Sequence, residues 1–231
     1  MLGSAELWAE VAPQLAERAQ VRIGRIDLDE SSAELAASVL ASAPPRFALA
    51  GHSLGGIVAL EVASRAPKRV TRLALLAASA RPPTEAQLAS WAALGGRTRS
   101  GSFAEVAREL AAAGLPARRR SDAALAARVE AMAHAVGPAG FLRQLAAQRS
   151  RSDLRPSLPR VAVPTLVLSG DEDEVCAPEL QEEIAAGIAG ARHETLEGVG
   201  HTAPLEAPDE VAAHLLSWLS APAGRVPAAA R

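Results

Sequence analysis

The chain has 231 residues, 49% of them hydrophobic and 22% charged, with a net charge of −2. That balance belongs to a globular protein rather than a disordered one, long enough for one core with an inserted subdomain. Near-neutral charge excludes a general attraction to nucleic acid, the lack of any run of about 20 apolar residues excludes a membrane-spanning helix, and a single cysteine, Cys176, excludes an internal disulfide.

Met1 to Glu6 lacks the basic-then-apolar order of a signal peptide, which together with the lone cysteine predicts a cytoplasmic protein. Ala5 to Arg18 reads as a helix with Leu7, Trp8, Val11 and Leu15 on one face. Val21 to Leu28 alternates apolar and polar residues, as a half-buried strand does. Ser31-Ser32-Ala33-Glu34 is a capping-box signature opening a helix to about Ser42, which Pro44-Pro45 ends. Arg46 to Ala50 is a short apolar run suited to a buried parallel strand, and Ile57 to Ala66 one suited to a buried helix. Between them stands Gly51-x-Ser53-x-Gly55. In this strand–turn–helix setting the pattern is that of a nucleophile elbow, with Ser53 at the apex. The glycines let the backbone pass close to itself, and the N–H of Leu54 points where an oxyanion forms.

Val70 to Ala77 is a further buried strand. From Arg81 to Pro159 the strand signal disappears, and four helices are expected at about Thr84–Leu94, Ser102–Ala113, Ser121–Val136 and Pro138–Arg149. Strands resume at Pro164–Gly170 and His193–Glu197. Helices follow at Pro178–Ala189 and at Asp209–Leu219, the latter capped by Asp209, and the Ala/Pro/Gly-rich tail from Ala221 reads as frayed. Alternating strands and helices predict an α/β fold, a mostly parallel sheet flanked by helices. Residues 1–80 and 160–231 form its core, and 81–159 an inserted helical cap. The cap carries 12 arginines against 6 acidic residues, a net +6, leaving −8 on the remainder. Such a cap suits an acidic carrier protein as partner, although charge runs such as Arg118-Arg119-Arg120 are usually solvated helix faces.

Gly51-His52-Ser53-Leu54-Gly55-Gly56 resembles the elbow of the α/β-hydrolases, and that resemblance implies an acid and a histidine later in the chain, in that order. Gly170-Asp171-Glu172-Asp173 before Pro178 is similar to the family's acid loop and selects Asp173, with Asp171 as rival. Gly198-Val199-Gly200-His201 is similar to the family's histidine loop and selects His201. His52, His134, His193 and His214 need only structural explanations. No His/Cys cluster has metal-ligand spacing, and neither metal nor cofactor is expected. The resemblance runs from about Leu7 to Leu219.

The chain departs from the family at its start. A strand ending in His-Gly or Pro-Gly, followed by a loop that supplies a second oxyanion N–H, precedes the first helix in such proteins. Met1 to Trp8 looks like the tail of that loop, so the fold is expected to be N-terminally truncated, with Leu54 and Met1 as oxyanion donors. Leaving the backbone of neighbouring strands unpaired costs roughly 1–3 kcal/mol per buried group. Three explanations stand: a start downstream of the true one, which is preferred; closure of Val21–Leu28 against Phe47–Ala50; or a degraded relative. The resemblance implies a serine hydrolase acting on a small carboxylic ester through an acyl-enzyme. C–C bond hydrolysis, perhydrolysis and a non-catalytic role remain alternatives.

Overall fold

The computed structural model describes residues 1–221; the tail expected to fray lies otherwise outside the described residues. Four parallel strands, β1 (Phe47–His52), β2 (Val70–Leu76), β3 (Thr165–Gly170) and β4 (Arg192–Leu196), pair in sequence order. Parallel neighbours require crossovers, and the helices that supply them cover both faces.

Alternation along the strands divides the core into two layers. Leu73, Leu75 and Val167 point into a cluster with Leu35 and Ala36 of α2 (Ser32–Ser42), Ile57 to Ala63 of α3 (Leu54–Arg65) and Ile184 of α7 (Pro178–Gly187). Ala74, Leu76, Leu166 and Leu168 point the other way, against Val11 of α1 (Val11–Ala16) and Val211, Leu215 and Trp218 of α9 (Pro208–Ser220). Between β2 and β3 lie α4 (Glu85–Arg99), α5 (Phe103–Ala113) and α6 (Ala123–Ser150). They enclose an apolar cluster of their own around Trp91, Phe103, Val106 and Phe141. A break at Gly137, with φ 68° and ψ 172°, divides α6 just before Pro138.

Several local expectations are corrected. The first helix splits into a 3-10 turn, Ala5–Trp8, and α1, because Ala9 and Glu10 turn between them. Val21–Leu28 forms no strand: Ile23 is 41% and Leu28 52% exposed, and no ladder reaches them. Alternation makes a strand only where a neighbour offers its edge, and the one partner β1 has among the described residues is β2. For the same reason β1 is not buried as expected; Ala48 and Ala50 face outward exposed, while Phe47 and Leu49 are half-buried. Closure of Val21–Leu28 against Phe47–Ala50 is thereby excluded. Finally, the N-cap of α9 is Ala207 rather than Asp209, since Pro208 fits the first helical position, where no N–H is needed. Asp209 instead accepts a hydrogen bond from Gln14 at 2.9 Å.

A candidate active site at the carboxyl ends of the strands

Loops at the carboxyl ends of parallel strands are where such sheets collect chemistry. Ser53 follows β1 directly and adopts φ 52°, ψ −117°, a strained backbone for a residue with a Cβ. The turn is held by Ser53 N–H donating to Leu76 O at 2.9 Å and by Gly56 N–H returning to Ser53 O at 2.9 Å. Leu54 is the first residue of α3, where a backbone N–H has no carbonyl within its own helix to bond and the helix dipole is positive.

The loop after β3 brings Asp173 into the site, and the loop after β4 brings His201. His201 Nδ1 lies 2.9 Å from Asp173 Oδ2, and His201 Nε2 lies 3.0 Å from Ser53 Oγ. All three are buried, at 7%, 3% and 7% exposure for Ser53, Asp173 and His201. Burial alone would raise the Asp173 carboxyl. The His201 hydrogen bond and charge, and the N–H groups of Cys176 and Val175 donating to Oδ1 at 2.8 Å each, outweigh it and hold the carboxyl below its ordinary range. The rival, Asp171, points elsewhere: its Oδ1 accepts from Gly198 N–H at 2.6 Å and ties the two loops together.

The structure also names residues that local motifs did not reveal as parts of the site. Glu206 ends the short helix α8 (Ala203–Glu206) and reaches back under the histidine loop, accepting from Gly200 N–H and from the N–H and hydroxyl of Thr202, each at 2.9 Å. Its spacing from Thr202 is one residue longer than a capping box, which hides the signal. His52 is the second addition. Its Nε2 sits 2.6 Å from His201 O, so Nε2 carries the proton and donates to that carbonyl. Gln144 of α6 is the third; its Oε1 accepts from Leu2 N–H at 2.6 Å and its Nε2 donates to Gly3 O at 3.3 Å. Met1, the other oxyanion candidate, packs half-buried against the α4–α6 apolar cluster. The Cys176 thiol, beside Asp173, is pushed up to about 12 by burial, so no thiolate competes with Ser53.

A cavity of about 410 Å³, lined by Arg46, Lys68, Arg72, Arg160 and Pro164, opens at the amino ends of the strands, away from Ser53. No group of three or more His, Cys, Asp or Glu side chains suited to a metal ion occurs among the described residues, and no helix there is long and apolar enough to cross a membrane.

His52 gives the site a pH signature. Burial, then the neighbouring His201, lowers its pKa to about 3. Unfolded, it titrates near 6.5. Between those values the unfolded chain binds the extra proton, so stability falls as pH falls. Asp173 adds to the loss at the lower end, its carboxyl being depressed in the fold. Urea unfolding at pH 7 and pH 5 is expected to show a loss of about 1–2 kcal/mol that the His52→Gln variant lacks; equal losses in both proteins would reject the neutral His52.

The comparisons agree with this architecture. A model of the alpha/beta hydrolase family matches residues 5–214. The pimeloyl-[acyl-carrier protein] methyl ester esterase of Edwardsiella ictaluri is 29% identical over 233 aligned positions, covering 93% of this chain and 88% of that one. Its counterpart in Stenotrophomonas maltophilia is 31% identical, covering 79% and 72%. Among solved structures, a hydrolase from Pseudomonas aeruginosa superposes with a TM-score of 0.82 at 30% identity, covering 95% of this chain and 87% of its own. A thermophilic esterase from Thermogutta terrifontis reaches 0.82 at 22% identity, covering 92% and 84%, a likeness of fold.

Proposed function

The chain belongs to the alpha/beta hydrolase family, and from that premise we propose that it is a serine esterase whose nucleophile, base and orienting acid are Ser53, His201 and Asp173. One observation carries the reading: the continuous hydrogen-bonded chain from Ser53 Oγ through His201 to Asp173, beside the free end of α3. In the reaction, Ser53 Oγ gives its proton to His201 Nε2 as it attacks the ester carbonyl, and Asp173 stabilises the imidazolium that forms. The Leu54 N–H stabilises the tetrahedral oxyanion, with the Met1 backbone nitrogen as the second candidate donor. His201 returns the proton to the leaving alcohol, then takes one from the water that frees the acyl group.

We further propose that the acyl group arrives on an acidic carrier and that α4–α6 form the cap over the site. The named relatives at about 30% identity act on a carrier-bound methyl ester. The segment's net positive charge complements such a carrier, and exposed Arg99 and Arg149 stand outside the ion pairs among the described residues. The test compares the methyl ester of an acyl–acyl carrier protein with the same acyl methyl ester free in solution. Hydrolysis of both is expected, with kcat/KM for the carrier-bound ester about tenfold higher from electrostatic steering and a steep loss of that advantage in high salt. Equal kcat/KM would remove the carrier. No hydrolysis of either, with no labelling of Ser53 by a fluorophosphonate, would remove the esterase.

A further inference from the structure

Three consecutive arginines, Arg118-Arg119-Arg120, read in sequence as a solvated run, but each is engaged with a loop of the candidate site. Arg118 Nε donates to Glu172 Oε1 at 3.0 Å, and its Nη2 donates to Gly198 O. Arg120 Nη2 donates to Glu174 Oε2 at 2.7 Å, while its Nε is steadied by Leu115 O and Ala112 O, each at 3.2 Å. Arg119 Nη1 donates to the carbonyl of Glu206 at 3.0 Å. Glu172 and Glu174 flank Asp173; Gly198 and Glu206 bracket His201. The same connection between α5 and α6 also touches the backbone of the base, since His201 N–H donates to Gly114 O at 3.0 Å. Contact is close enough that a Cβ on Gly200 would lie 2.6 Å from Pro116 Cδ.

We propose that this arginine run is a clamp that positions Asp173 and His201 from outside, so that the α5–α6 connection sets the geometry of the acid and the base. Glu172 and Glu174 are 38% and 63% exposed, and isolated pairs of that kind contribute little. Here the pairs act together on two loops already tied to each other, Glu172 N–H to Val199 O at 3.0 Å and Gly198 N–H to Asp171. The cations also neutralise two of the four adjacent carboxylates at 171–174, whose mutual repulsion would otherwise spread the acid loop. None of the three arginines hydrogen-bonds to Ser53, His201 or Asp173, so they are positioning residues.

The inference rests on the esterase reading for its kinetic consequence but not for its structural one, and the experiment separates the two. In the Arg118→Ala/Arg120→Ala double variant, hydrogen exchange of the His201 amide is expected to rise about tenfold. With p-nitrophenyl acetate, too small to need a carrier, kcat is expected to fall about tenfold with KM within about twofold. The charge swap Arg120→Glu/Glu174→Arg should recover most of what Arg120→Glu alone loses, which loss of carrier docking would not do. Unchanged exchange, or a swap no better than Arg120→Glu, overturns the clamp. Faster exchange in a protein that hydrolyses no ester would uphold the clamp and discard the esterase. Unchanged kcat on the small ester with weakened use of the carrier-bound one would make the arginines a docking patch and overturn the clamp.

Discussion

Replacing Ser53 with alanine is expected to reduce ester hydrolysis by about 10⁴-fold or more, with substrate binding and the fold retained. The argument is geometric. Ser53 Oγ is 3.0 Å from Nε2 of His201, the proposed base, while the Cys176 thiol, pushed up to about 12, is no substitute nucleophile at neutral pH. Deleting a member of such a unit leaves the Leu54 N–H and whatever the pocket does for binding, so a residue of activity above the uncatalysed rate should persist. The Ser53→Gly variant sharpens the test. It should be as inactive, yet unfold no earlier than the wild type, because glycine adopts φ 52° without the Cβ strain that costs about 1–3 kcal/mol. Steady-state kinetics and thermal melts on the three proteins decide it. Full activity in Ser53→Ala would reject the nucleophile.

The second large effect is on folding. A Cβ added at Gly51 would lie 2.2 Å from Gly55 O, 2.5 Å from Gly55 C and 2.7 Å from Gly56 N, all backbone atoms of the turn that carries Ser53. Nothing there is the flexible end of a side chain, so the elbow must open. Gly51→Ala is expected to cost about 3 kcal/mol or more, lowering the melting temperature by roughly 10 °C against a total stability of about 5–15 kcal/mol. Gly55→Ala is the control. Its Cβ meets nothing within 4 Å, and it lies inside α3, where alanine is favoured by about 0.5–1 kcal/mol. The two substitutions, four residues apart in one motif, should therefore shift the melt in opposite directions. A Gly51→Ala protein that melts with the wild type would show that the backbone does not cross itself so closely.

The segments legible in the sequence share a property: their structure is decided within a few residues. The N-cap at Ser31 places the start of α2, with Ser31 Oγ accepting from Glu34 N–H at 3.1 Å. Continuous apolar runs place β2 and β3, which are buried on both faces and need no particular register to read as core. The elbow pattern singles out Ser53 because a close backbone crossing imposes glycines at short spacing, and the resemblance of two later loops to those of the α/β-hydrolases implies Asp173 and His201.

The α/β class and three candidate side chains were thus readable from the residues alone. Tertiary structure alone decided the rest. Val21–Leu28 carries a strand pattern yet is not a strand, because pairing depends on an edge supplied by distant residues. Asp173, which the acid-loop resemblance already selects, faces His201, and the fold settles what became of its rival by turning Asp171 to Gly198 instead. His52 and the Arg118–Arg120 run reach the site loops through bonds to residues between 54 and 149 positions away. Hydrogen bonds that close over such separations leave no periodic trace in the chain, since their partners come together only after the sheet has formed.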